Sequence, residues 1–199
     1  MISNVNVYGL EESLKASGYP MSVELDDIEA DLTRGEKLGN AKQGSGHDCY
    51  LKGIIVQMDV AFPQYIWQQA KRYHWFDFVS SQSTMHRITK MNIREQCNEY
   101  VFPETINLLN VTVDIYNNYD RYVERFGADR VRPKDELFHV IISNIPSGFL
   151  LTARITTNYL QLKTMYNQRK HHKMREWKEF CAWIETLPNF NDLCLRRAA

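Results

Sequence analysis

Residues 154–188 read RITTNYLQLKTMYNQRKHHKMREWKEFCAWIETLP, and the fold turns on how this stretch is divided. Ile155, Tyr159, Leu162, Met165 and Tyr166 recur at three- and four-residue intervals, the period of an amphipathic helix. A second run follows at Trp177, Phe180, Cys181, Ile184 and Leu187. Between them lies the polar, cationic segment Asn167-Gln168-Arg169-Lys170-His171-His172-Lys173. The pattern predicts two helices pinning a cationic turn, with Arg169 at the end of the first. Basic residues at a helix C-terminus also suit the macrodipole with no further role. A guanidinium mounted between two anchored helices, however, holds an anion or a polarised carbonyl better than one on a loose loop. Arg169 is therefore the leading candidate functional residue.

Upstream, Ile54, Val56, Met58 and Val60 alternate with Ile55, Gln57, Asp59 and Ala61, the two-residue period of a half-buried strand. Phe62-Pro63 is expected to stop that strand. Pro63 then opens a helix through Tyr65, Ile66, Gln69 and Tyr73, which ends in Lys71-Arg72-Tyr73-His74-Trp75. The next segment, Val79 to Arg87, is rich in hydroxyls and closes on His86-Arg87. Hydroxyls, backbone amides and an arginine suit a phosphate or ribose. The same residues also form ordinary turns by bonding their own backbone. Pro103 opens a long helix with a stripe at Ile106, Leu109, Val113, Tyr116 and Val123, closed by Gly127. Ala128 to Glu136 reads as a charged loop, Leu137 to Ile142 as a short apolar run, and Ile145-Pro146-Ser147-Gly148 as the turn into the C-terminal helices. Residues 1–46 are the least patterned. Val5 to Ala16 suggests a strand and short helix, and Arg34 to Gly46 holds four of the nine glycines, so this part reads as an irregular surface excursion.

Composition bounds the rest. A chain of 199 residues with 44% hydrophobic and 12% aromatic content has the material for one globular core. The formal net charge is zero, which argues against a chain-wide attraction to nucleic acid or membrane. No apolar run is long enough to span a bilayer, and no leader pattern opens the chain. Cys49, Cys97, Cys181 and Cys194 are scattered without a CxxC pair, which points to reduced thiols, no metal site and a cytoplasmic protein.

Taken in order, these segments resemble the flavin-dependent thymidylate synthases in a divergent form. That family carries an Arg-His-Arg after a strand and helix, then Ser-x-Asn-Glu-x-Ser-x-Arg. Later come a Leu-Pro turn and a helix with an asparagine near its start and an arginine near its end. The counterparts here are Arg72-Tyr73-His74, Ser80 to Arg87, Ile145-Pro146, and Asn158 to Arg169. Tyr73 and His74 replace the family's second and third residues, Gln82-Ser83 replaces Asn-Glu, and Met85 replaces the following Ser. The resemblance spans roughly residues 46–187 and supports a shared fold more firmly than a shared reaction.

The resemblance implies a single α+β domain over 1–199. It would have an irregular N-terminal excursion (1–46), a core at 47–187 in which a small antiparallel or mixed sheet packs with long amphipathic helices, and a tail at 188–199. It further implies a cytoplasmic homotetrameric FAD enzyme that moves a one-carbon unit from methylene-tetrahydrofolate to C5 of dUMP, with NADPH reducing the flavin. Carried over by position, Arg169 polarises the uracil ring, and Arg87, Ser83 and Gln82 hold the nucleotide. Arg72, His74, His47 and Asn158 contact the flavin, and no metal is involved. Two alternatives stay open: a flavin- or nucleotide-binding module of the same fold without methyl transfer, and a nucleic-acid-binding protein using the turn at Arg169 to Arg175.

Overall fold

The computed structural model describes residues 2–42 and 44–195. In chain order they form β1 (Ile2–Tyr8), α1 (Leu10–Ala16), α2 (Leu32–Gly39), β2 (Ile55–Pro63), α3 (Gln64–Ala70) and β3 (Asp77–Ser81). There follow α4 (Thr84–Arg87), α5 (Ile93–Gln96), α6 (Pro103–Asn117), α7 (Tyr119–Phe126) and α8 (Lys134–Ser143). The chain closes with β4 (Leu150–Asn158), α9 (Tyr159–Arg169) and α10 (Arg175–Ile184). The strands make an α+β architecture with one antiparallel sheet of order β1-β2-β4-β3. β2 follows its alternation: Val56, Met58 and Val60 are fully buried, while Ile55, Gln57 and Asp59 are half-buried. β1 pairs with it, Ile2 opposite Val60 and Tyr8 opposite Ile55, with a bulge between Ser3 and Asn6.

The decisive stretch divides differently from its apolar spacing. Residues 150–158 are strand, and the helix starts only at Tyr159. Ala153, Ile155 and Thr157 are buried, while Thr152, Arg154 and Thr156 are half-buried, which is a period of two. The β-branched run Ile155-Thr156-Thr157 favours this conformation. Ile155 sits four residues before Tyr159 and so imitates a helical step. The turn at 145–148 accordingly leads into a strand, not into the C-terminal helices. Two further boundaries move: α3 stops at Ala70, leaving Lys71 to Phe76 outside it, and the expected loop before Leu137 is shorter because α8 starts at Lys134. Among the described residues, no helix is long and apolar enough to cross a membrane.

By contacts the chain divides into two units: Met1–Val60, Ala70–Ser80 and Arg154–Ala199 in the first, Ala61–Gln69 and Ser81–Ala153 in the second. In the first, Asn158 caps α9, its Oδ1 accepting from the Gln161 amide at 2.9 Å. Tyr159, Leu162 and Met165 are fully buried, as are Trp177 and Ile184 of α10, with Phe180 and Cys181 nearly so. Phe76 meets Phe180 edge-on at 6.0 Å, and Tyr159 meets Phe190 at 5.1 Å.

The N-terminal region, expected to be irregular, holds β1, α1 and α2 and is tied to α9. Lys163 is buried, its ammonium donating to the Gly39 carbonyl and to Asp48 Oδ2, each at 2.7 Å. The tail past residue 188 closes on a π-helical turn, Asn191–Leu195, in which Leu193 and Cys194 are buried. α2 approaches that turn through Gly35 and Gly39, four residues apart on one helix face.

In the second unit, Ile106, Leu109 and Val113 of α6 pack with Ile141 of α8 and with Ile88, Ile93 and Phe149. The long helix expected from Pro103 to Gly127 is broken at Asn118, whose side-chain amide turns back to Asp114 Oδ1 at 2.8 Å. Gly127, at φ 90, stops α7.

A Cβ at Gly39 would run into the Leu193 carbonyl oxygen and lie 2.8 Å from the Tyr50 hydroxyl. Since the obstacle is backbone, Gly39→Ala is expected to lower the unfolding free energy by about 1–3 kcal/mol. Urea denaturation followed by circular dichroism measures this, and an unchanged midpoint would contradict the close packing of α2.

Candidate functional site

α9 ends at Arg169, where the His172 amide donates to the Arg169 carbonyl at 2.8 Å and turns the chain toward α10. The Arg169 guanidinium carbon lies 4.7 Å from the centroid of the Trp177 ring and 5.5 Å from that of Tyr73. Its Nε donates to the Tyr73 hydroxyl at 2.8 Å, and that hydroxyl donates onward to Gln168 Oε1 at 2.9 Å. Tyr73 and Trp177 meet edge-on at 6.2 Å. A half-buried cation is thus fixed by two aromatic rings and one hydroxyl, each cation–π contact contributing about 0.5–2 kcal/mol. Trp177 is fully buried, so the guanidinium rests on a rigid wall.

The neighbouring titratable groups are set by burial and by nearby charge. His172 sits 6.4 Å from Trp177, and its Nδ1 accepts from the Met174 amide at 3.1 Å. Its pKa is held below the ordinary imidazole value by partial burial, then by the positive charges of Arg169 and Lys173. A neutral ring results. Tyr166 donates to Glu185, a bond that pushes its phenol up to about 12. Burial raises the Cys181 thiol to about 11, so it stays protonated near neutral pH and serves as packing rather than as a nucleophile.

The other candidates fall in several places. Arg72 and His74 flank Tyr73 in the turn after α3; both are exposed, and the His74 ring lies 4.6 Å from that of Trp75. This turn and the end of α9 therefore bring residues 72–74 beside Arg169. Asn158 is at the opposite end of α9, about 16 Å away along the helix axis at 1.5 Å per residue. Its Oδ1 is occupied by the helix cap. His47 is exposed at the start of the 3-10 segment His47–Gly53.

Gln82, Ser83 and Arg87 belong to the second unit. Gln82 extends the β3–β4 pairing, donating its amide to the Thr152 carbonyl and accepting from the Thr152 amide through Oε1, both at 2.9 Å. Ser83 precedes α4 without a side-chain capping bond, and Arg87 is exposed at its end.

Tyr73, Trp177 and Gln168 complete the arrangement around Arg169; the sequence placed Tyr73 and Trp177 on apolar helix faces and none of the three among the site residues. Aromatic residues at helical spacing suggest core, but Tyr73 lies past the end of α3. The available signal was a tyrosine flanked by Arg72 and His74 at the polar end of the expected helix.

No protein-family model and no curated protein sequence matches the chain. Among solved structures it is similar to the flavin-dependent thymidylate synthase ThyX from Helicobacter pylori complexed with FAD and dUMP. That match has a TM-score of 0.64 and 12% identity, over 98% of this chain and 100% of the other. Another structure of Helicobacter pylori thymidylate synthase X with FAD and dUMP matches at TM-score 0.68 and 10% identity, over 98% of each chain. A UMP/dUMP methylase, PolB from Streptomyces cacaoi bound with 5-Br dUMP, matches at TM-score 0.55 and 14% identity, over 94% of this chain and 89% of that one. The chain has the fold of the flavin-dependent thymidylate synthases.

Protonating His172 removes the acceptor for the Met174 amide. With the folded-state pKa below the unfolded one, the folded chain binds fewer protons, so this stability is complete above the ordinary imidazole pKa and declines as pH falls through it. Between about pH 7 and 5, the wild type is expected to lose more thermal stability than His172→Gln, as measured by paired melting curves. Equal losses would show that His172 does not couple to folding.

Proposed function

We propose that this chain is a cytoplasmic flavin-dependent enzyme that transfers a one-carbon unit from methylene-tetrahydrofolate to C5 of a pyrimidine deoxynucleotide, dUMP. The observation that carries the reading is the fixed guanidinium of Arg169, at the end of a helix that begins with Asn158. In support, the neighbours of this fold were solved with FAD and dUMP or with 5-Br dUMP. A planar cation held on an indole face is oriented before any ligand arrives. It is suited to a pyrimidine carbonyl that carries negative charge in the enolate form from which C5 attacks. Lysine, a point charge on a flexible stem, fits that task less well.

The residues present fit a flavin dinucleotide. Arg72 and His74 are exposed, and neither side chain is spent on a hydrogen bond or ion pair among the described residues, so both can take up the oxygens of an anionic diphosphate. His47, exposed, and the amide of Asn158 are the further contacts we assign to it. When bound and reduced by NADPH, the flavin supplies the hydride for the transferred carbon. Arg87, equally exposed and without an ion pair among the described residues, is assigned to the nucleotide phosphate, with Ser83 and Gln82 beside it. Ligand sites shared between subunits of a homotetramer belong to the same reading.

A binding module without methyl transfer is the second reading. It is favoured by Gln82 and Ser83, which offer no carboxylate, and by the use of the Gln82 side chain to bond β4. The purified protein is expected to be yellow with flavin absorbance, and dUMP is expected to trigger reoxidation of the reduced flavin in the presence of methylene-tetrahydrofolate. Flavin binding without reoxidation selects the module, and a colourless protein that takes up no added FAD refutes both readings. Arg169→Ala is expected to lower turnover at least about a hundredfold while costing about 1–2 kcal/mol of stability from the lost ring contacts. Unchanged turnover in that variant removes Arg169 from the chemistry.

A further inference from the structure

We propose that the helices of the second unit hold a binding site for a compact amphipathic anion, of the class of a medium-chain or aromatic carboxylate. The site is independent of the nucleotide reading. It is a cavity of about 440 Å³ formed by α6, α7, α8 and the segment after Gly127. That size lies within the roughly 300–1,000 Å³ usual for small-molecule sites. Ile115 of α6 and Leu137 and Val140 of α8 line it, with Val131 contributed by the connecting segment. Tyr122 and Phe126 of α7, stacked at 6.0 Å with an interplanar angle of 27°, form one wall.

The side-chain hydroxyls of this lining already donate to partners within the chain. The Tyr122 hydroxyl donates to Asp114 Oδ2 at 2.7 Å, which raises its pKa, and the Thr112 hydroxyl donates to the Leu108 carbonyl at 2.9 Å. A sugar or a base, with polar groups all round, would find partners only at the two arginines and would lose much of its hydration elsewhere. The body of the ligand is therefore apolar.

Charge comes from two arginines, Arg130 and Arg132, and among the described residues no carboxylate lines the cavity. Arg132 is paired with Glu136 at 3.5 Å, but the side chains are 67% and 56% exposed, so the pair is weak and easily exchanged. The Arg130 side chain makes no hydrogen bond or ion pair among the described residues. An apolar cavity whose charged lining is purely cationic selects a ligand with an apolar body and one anionic head.

The test is calorimetric titration of the full chain with sodium octanoate and, separately, with octan-1-ol. Octanoate is expected to bind one per chain, and octanol at least about tenfold more weakly. Arg130→Gln is expected to weaken octanoate about tenfold and leave octanol unchanged. Val140→Trp, which fills the cavity, is expected to abolish both. Ile115→Phe is the second filling variant, used if the melting curve shows that Val140→Trp does not fold. The proposal is overturned by absent octanoate binding, by equal affinity for acid and alcohol, or by several octanoates per chain that ignore these substitutions.

Discussion

An ammonium taken out of water must be met by oxygens, and much of the first unit follows from how Lys163 meets that demand. Lys163 lies in the middle of α9, on a helix whose other inward residues are apolar but for Gln161. It reaches the Gly39 carbonyl and Asp48, and so draws α2 and the segment that leads into β2 onto the same helix. Removing either partner would strand a buried charge, which typically costs several kcal/mol, so the pair fixes arrangement more than it adds net stability. The glycines of α2 belong to the same constraint, since a helix brought this near Leu193 has no room for side chains on that face.

α9 is held at three points by three kinds of physics. Asn158 satisfies an amide at its start, Lys163 is electrostatically anchored at its middle, and at its end Arg169 lies against Trp177 and Tyr73. A helix fixed in this way presents its terminal guanidinium with little freedom. The ring contacts also limit what that guanidinium can do: it can polarise or bind, but it is unsuited to reaching for a distant partner. Nearby, His172 is disfavoured from taking a proton, first by burial and then by the charges of Arg169 and Lys173, and burial keeps the Cys181 thiol protonated.

Much of the plan was legible along the chain. The alternation of β2, the stripe of α10 and the Pro103 start of α6 were clear because each buried face is strongly apolar. β4 was hidden because its buried face includes Ala153 and Thr157, which carry little hydrophobic signal, while Ile155 mimics a helical step into Tyr159. α2 was hidden because glycines at 35 and 39 read as loop, whereas they mark a close approach. Asn118 interrupts a pattern whose apolar stripe continues on both sides of the break.

The sequence by itself determined a cationic turn between two anchored segments, ending one helix at Arg169, because amphipathic period and polar interruption are local properties. That Asn158 caps this helix was not read from the pattern, which carried the helix back to Ile155; the strand that ends at Asn158 set its start. Only the tertiary structure decided that Tyr73 and Trp177 hold the guanidinium, that Lys163 finds Asp48, and that the cavity in the second unit is lined by arginines alone among charged groups. Each of these joins residues far apart along the chain or across a turn, where no periodicity reaches and where packing alone selects the partner.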